Sequence, residues 1–169
     1  MTKNTQTFAK IAMIAAIYTV VSLVLAPFSF GNIQVRIAEA LTLLPLIYKP
    51  SIAGVTLGCF LTNILGVMMG VNPTGMIDAV VGTSATLIAA AGTYYFRNKT
   101  VKGIPVLSML MPVILNFIFV GMELSVLFFE GNVWLGFLIM GSEVAVGEAV
   151  SVIIGYFLIQ AFKKTKIFN

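Results

Sequence analysis

Residues 51–70 read SIAGVTLGCFLTNILGVMMG, twenty positions without one charged side chain. A transmembrane α-helix needs about 20 predominantly apolar residues to cross a hydrocarbon core ~30 Å thick. Only helices and closed barrels satisfy their own backbone in lipid. The apolar residues here run continuously and do not alternate, so the stretch reads as a helix and not as a barrel strand. Composition extends this reading to the whole chain. Of 169 residues, 59% are hydrophobic and 9% are charged, against about 25% charged in a soluble domain. So few charges cannot cover a water-facing surface, and the solvent must be lipid.

Working outward from this run, five more apolar segments are bounded by Gly, Pro or charge. The first covers residues 8–26 and stops at Pro27. The second, 32–47, is short, with Pro45 near its end. The fourth covers 75–96, after Asn72-Pro73-Thr74-Gly75. The fifth covers 105–129 and opens with Pro105, where a helix tolerates proline. The sixth covers 133–162 and ends at Lys163-Lys164. The first segment is preceded by Lys3 and Lys10 but is too long for a signal-peptide core, so a retained first helix is expected. The expectation is an all-α membrane protein in one domain, residues 1–169, a bundle of six transmembrane helices.

Orientation follows from the basic residues. With both termini cytoplasmic, six crossings put Lys3, Lys10, Lys49, Arg97, Lys99, Lys102, Lys163, Lys164 and Lys166 on the cytoplasmic side. Only Arg36 is left elsewhere. The opposite orientation would put all nine outside. The alternation requires the short second segment to count as a crossing. The expected location is the plasma membrane, and no internal repeat or water-soluble domain stands out.

Several function classes are excluded by composition. The chain has no His and a single Cys, Cys59, so a zinc site, a Ser-His-Asp triad, a haem His and an internal disulfide are all out of reach. Cys59 itself reads as a small core residue. There is no Gly-rich phosphate loop ending in Lys-Ser or Lys-Thr. Uphill transport would therefore draw on ions or on partner subunits, and no cofactor is expected.

Ionisable residues inside the spans point to a site, because each costs at least ~2.5 kcal/mol to bury on the mildest scale. Five of the six acidic residues, Glu39, Asp78, Glu123, Glu143 and Glu148, fall within expected helices, and Glu130 falls in an outer loop. Most sit toward the outer half, as do Gln34, Asn63 and Asn116. Structural readings stand beside the functional ones. Arg36 and Glu39 are three apart and can pair along one helix. Asp78 can serve the start of the fourth helix. Asn63 and Asn116 can join helices by hydrogen bonds. Glu123, Glu143 and Glu148 have no evident cationic partner, since Arg36 is the one buried base. The missing positive charge must come from protons or from a ligand that is cationic or rich in N–H donors. A guanine-like edge presents adjacent N–H donors of the kind a carboxylate accepts in pairs. Phe28, Phe30, Phe128, Phe129 and Trp134 lie near the same end and can stack on a flat ring or form an interfacial belt. In the first helix, Ala9, Ala12 and Ala16 make a small-residue stripe suited to close helix contact, internal or with a partner.

The run Gly31-Asn32-Ile33-Gln34-Val35-Arg36-Ile37-Ala38-Glu39-Ala40-Leu41-Thr42-Leu43-Leu44-Pro45 resembles the QueT family, substrate-binding S components of energy-coupling-factor (ECF) transporters. Length, six-helix plan and Ala-rich first helix fit the family as well. The resemblance implies uptake of a queuosine precursor, a 7-deazaguanine such as preQ1 or queuine. It also implies a transmembrane coupling subunit and two cytoplasmic ATPase subunits as partners, with Ala12 and Ala16 in the family's coupling-subunit contact and Ala9 on the same stripe. Neither enzymatic activity nor nucleic-acid binding is expected. The expected ligand set is Gln34, Arg36, Glu39, Asn63, Asn116, Glu123 and Glu143, with Asp78, Trp134 and Glu148 as further candidates. The competing readings are a proton-coupled secondary transporter of a small cationic solute, with Glu143 and Glu148 as its relay, an S component for another vitamin, and an intramembrane enzyme.

Overall fold

A computed structural model describes residues 2–30 and 35–165. The element order is α1 (Lys3–Val24), α2 (Ala26–Ser29), the 3-10 helix η1 (Ile37–Leu46), α3 (Ser51–Met68), α4 (Met76–Tyr95), α5 (Val106–Phe128) and α6 (Val133–Lys163). No strand occurs among the described residues beyond an isolated bridge, Val101 to Ile104. Five helices, α1, α3, α4, α5 and α6, are long and apolar enough to cross a membrane. The chain is a multi-pass membrane protein.

Local chemistry sets the helix ends. Thr2 caps α1 through its side chain, and Asn132 caps α6 by accepting from the Trp134 and Leu135 amides. Pro27 falls in the first turn of the short α2 that follows α1. Pro112 lies inside α5, where it withholds the amide that would serve the Ser108 carbonyl. Thr93 on α4 replaces that donor, with Oγ1 3.1 Å from the Ser108 oxygen, and Ser108 Oγ returns a bond to the Thr93 carbonyl at 2.9 Å. In lipid such a freed carbonyl must find a neighbour, and this reciprocal pair fastens α4 to α5.

The helices form a ring in the order α1, α3, α4, α5, α6, and η1 packs between α6 and α1 while also touching α3, α4 and α5. The close approaches depend on glycine. A Cβ on Gly58 would stand 2.7 Å from Tyr18 Cβ, and one on Gly155 would stand 2.5 Å from the Ala40 carbonyl oxygen. Gly58 thus lets α3 lie on α1, and Gly155 lets α6 lie on η1.

The second segment departs from expectation in kind. It was expected as an α-helix over 32–47, and its described part is a ten-residue 3-10 helix. Such helices seldom exceed four residues because their hydrogen bonds are poorer. Seven of its ten residues, Ala38, Glu39, Ala40, Thr42, Leu43, Leu44 and Pro45, are buried and the other three are partly buried, so packing sustains it. The tighter winding also gives reach. Arg36 meets Asp78 in the first turn of α4, and Lys49 Nζ lies 5.2 Å from the ring centre of Tyr94 in its last turn.

The basic groups gather at one end, beside aromatic rings. Lys10 lies over Tyr48, Lys49 and Arg97 over Tyr94, and Lys99 over Phe96. The opposite end, where α3 stops and α4 starts, holds the polar cluster.

Candidate functional site

The cluster is built on the start of η1. Arg36 is its N-cap residue, and the side chain reaches α4 to pair with Asp78, Nη2 to Oδ2 3.2 Å. Asn72, in the turn before α4, donates to the same Oδ2 at 3.2 Å, while its own Oδ1 accepts from the Thr74 amide and hydroxyl. Asn63 on α3 donates to the Asp78 carbonyl at 2.7 Å. The Arg36 guanidinium also lies 5.4 Å from the centre of the Phe30 ring, and its backbone carbonyl accepts from Ser151 of α6 at 3.0 Å.

One turn deeper lies Glu39, almost wholly buried. Its Oε1 accepts from the Tyr18 hydroxyl and from Thr86 Oγ1. Cys59 lies between the two levels, and its Sγ is approached by Arg36 Nη1 at 3.7 Å, Asn63 Nδ2 at 3.7 Å and Thr86 Oγ1 at 3.3 Å. The two levels form one connected polar core drawn from α1, η1, α3, α4 and α6.

The alternatives left open by the sequence resolve at two positions. Arg36 and Glu39 do not pair with each other: the one ion pair among the described residues is Arg36–Asp78, and Glu39 is held by hydroxyls. Asp78 does not cap α4, whose N-cap is Gly75 without a side-chain bond. Asn63 does join α3 to α4.

The remaining candidates divide. Glu148 is buried on α6, within electrostatic reach of Glu39 and Arg36. Asn116 is buried on α5. Glu123, 6% exposed, faces a groove between α4 and α5 and lies within electrostatic reach of Asp78 and Arg36. Glu143 is only half-buried on α6. Trp134 is 69% exposed, apart from the core. Gln34 lies outside the described residues. Ala9, Ala12 and Ala16 all point out of the bundle, away from the α3 contact made by Ile14, Ala15 and Tyr18.

Tyr18, Cys59, Asn72, Thr74 and Thr86 belong to the core and were missed by sequence reasoning, Cys59 having read as packing alone. Tyr18 carries a usable signal: it sits in mid-span, where a tyrosine hydroxyl requires a partner, and not at the interface where tyrosines concentrate.

Partnerless atoms describe what the core can bind. Among the described residues, the buried carboxylate and amide atoms without a hydrogen-bond partner are Glu39 Oε2, Asn63 Oδ1, Asp78 Oδ1, both Glu123 oxygens, Glu148 Oε2 and one nitrogen, Asn116 Nδ2. Six of these atoms are carboxylate or amide oxygens and one is an amide nitrogen; the buried hydroxyls of Ser22, Ser29 and Thr83 are also without a partner and can donate or accept. Buried polar atoms are rarely left so, and this set is complementary to a small molecule rich in N–H groups. No group of metal-ligating side chains occurs among the described residues.

The family model described as QueT transporter matches residues 8–164. The Queuosine precursor transporter QueT of Lactococcus lactis subsp. cremoris (strain MG1363) is 31% identical over 87 residues, a stretch covering 50% of this chain and 47% of that protein. The match thus spans about half of that relative's length. No solved structure matches. With the family match extending over nearly the whole sequence, the chain belongs to the QueT transporter family.

Proposed function

We propose that this chain is the substrate-binding S component of an ECF transporter and that it captures a queuosine precursor, a 7-deazaguanine with preQ1 and queuine as candidates. The observation that carries the reading is the excess of partnerless buried carboxylate and amide oxygens over amide nitrogens. The ring N–H and exocyclic amino groups of a deazaguanine would answer Asp78, Asn63, Glu39 and Glu148. Its carbonyl would take the Asn116 amide or the Arg36 guanidinium, and Phe30 supplies an apolar face beside Arg36. The ligand's aminomethyl cation would offset the surplus of buried carboxylates.

The proposal includes six crossings, η1 among them, with both termini on the basic, cytoplasmic side. The binding core then lies toward the outside, where capture must occur. The exposed stripe Ala9, Ala12 and Ala16 would receive a transmembrane coupling subunit, and two cytoplasmic ATPase subunits would supply the energy. Glu143, half-buried ten residues into α6, and Trp134, exposed in its first turn, would stand outside the main set of contacts.

The test is a binding titration of purified protein with preQ1, queuine, guanine and thiamine. Binding of a deazaguanine at micromolar concentration or tighter, without thiamine binding, is expected, and failure of both deazaguanines to bind would remove the substrate. Reconstitution separates the proton-coupled alternative: the chain alone should bind but not accumulate substrate in liposomes under a pH gradient.

A further inference from the structure

The groove between α4 and α5 has a volume of about 410 Å³, within the usual range of ligand pockets. Ile77, Val81, Ile118, Met122 and Val126 are among its walls, and among the described residues Glu123 is the only charged or polar side chain that lines it. Ile77, Ile118 and Val126 are exposed on the outside of the bundle, so the groove opens sideways toward lipid. Glu123 is itself almost wholly buried, and neither of its oxygens has a partner.

Position connects this groove to the polar core. Ile77 and Val81 flank Asp78 along α4, so the groove and the Asp78 carboxylate occupy adjacent faces of the same turns. Asp78 Oδ1 is also partnerless. Glu123 therefore stands at the seam, with the donor-seeking core on one side and a dry, apolar slot on the other.

We infer that Glu123 is the ammonium subsite of the ligand site and that whatever substituent the ammonium bears projects into the α4–α5 groove. This rests on the deazaguanine reading and adds a specificity to it. A hydrogen or an alkyl group suits the slot. A hydroxylated substituent does not, because its hydroxyls would lose water and find no partner among those walls. The site accordingly selects the free aminomethyl compound, preQ1, over queuine, whose amine carries a cyclopentenediol.

The experiment compares affinities of the purified full chain for preQ1, N-butyl-preQ1, queuine and 7-methyl-7-deazaguanine, which lacks the amine. Expected are preQ1 binding at least about tenfold tighter than the methyl compound, a difference of about 1.4 kcal/mol, and queuine binding at least about tenfold weaker than preQ1. N-butyl-preQ1 should bind within about threefold of preQ1. Glu123→Gln should weaken preQ1 and leave the methyl compound unchanged. Equal binding of preQ1 and the methyl compound by the wild-type chain would overturn the inference while leaving the deazaguanine reading intact, and so would queuine binding as tightly as preQ1. If no deazaguanine binds, the functional reading fails and this inference with it. The ligand series runs on the wild-type chain, so it decides the matter even if the variant does not fold.

Discussion

Asp78 is held from three sides, by Arg36, by Asn72 and by the absence of a side chain at Gly82. A Cβ on Gly82 would come within 2.1 Å of Asp78 Oδ1 and 3.2 Å of Asn63 Nδ2. Gly82→Ala gains about 1 kcal/mol of helix propensity but pushes the Asp78 carboxylate away from Arg36, and loosening a buried ion pair costs more than that. The expected outcome is a lower thermal unfolding temperature together with ligand affinity lowered about tenfold or more. An unchanged affinity would show that the Asp78 position is not part of recognition. Arg36, Glu39, Asn63 and Asp78 were legible in the sequence because charge and amide groups in an apolar run are anomalous for lipid. Thr86, Asn72 and Thr74 were not, since hydroxyl and turn residues are ordinary at such positions and acquire meaning only when another helix arrives. Which partner each legible residue takes was equally hidden: spacing offered Arg36 to Glu39, and the tertiary structure gave it to Asp78.

At the scale of elements, boundaries were readable to within a few residues wherever Pro, Gly or charge marked them, as at Pro27, Pro105 and Lys163. The winding of η1 was not readable, because a short segment apolar on nearly every face has no periodic stripe to count. Its contact with α6 is close: Gly155 places α6 against the Ala40 backbone. Gly155→Ala should force the two apart and destabilise the fold by about 1–3 kcal/mol, read as a lower unfolding temperature in detergent. An unaltered temperature would mean the approach is looser than described. On α1 the small residues split, with Ala15 packed inward and Ala9, Ala12 and Ala16 facing out. Ala12→Trp is expected to leave ligand affinity of the purified chain within about twofold while abolishing uptake by cells that carry the complete transporter. Loss of binding, or retained uptake, would contradict a docking role for that face.

For the molecule as a whole, the basic groups and the polar core lie toward opposite ends. The rings of Tyr48, Tyr94 and Phe96 gather Lys10, Lys49, Arg97 and Lys99 at one end, and the acceptor-rich core lies toward the other. Cys59 is buried, so introduced cysteines report sidedness against a quiet background. In intact cells, Glu130→Cys should react with an impermeant maleimide and Lys102→Cys should not, and the reverse pattern would invert the topology. The helical membrane fold was legible because the scarcity of charge leaves no other solvent. The ring order and the central place of η1 were not, since they depend on which small residues meet across helices. The proposed capture of a donor-rich ligand rests on the partnerless carboxylate and amide oxygens of the buried core. The deciding experiment is a paired calorimetric titration of the purified chain with 7-deazaguanine and 7-deazaxanthine, in which the exocyclic amino donor at C2 becomes a carbonyl acceptor and the neighbouring ring nitrogen N3 turns from acceptor to N–H donor. The guanine form is expected to bind at least about tenfold more tightly, since the xanthine form sets a carbonyl against buried oxygens that the amino group would have served. Equal affinity, or preference for the xanthine form, would contradict it.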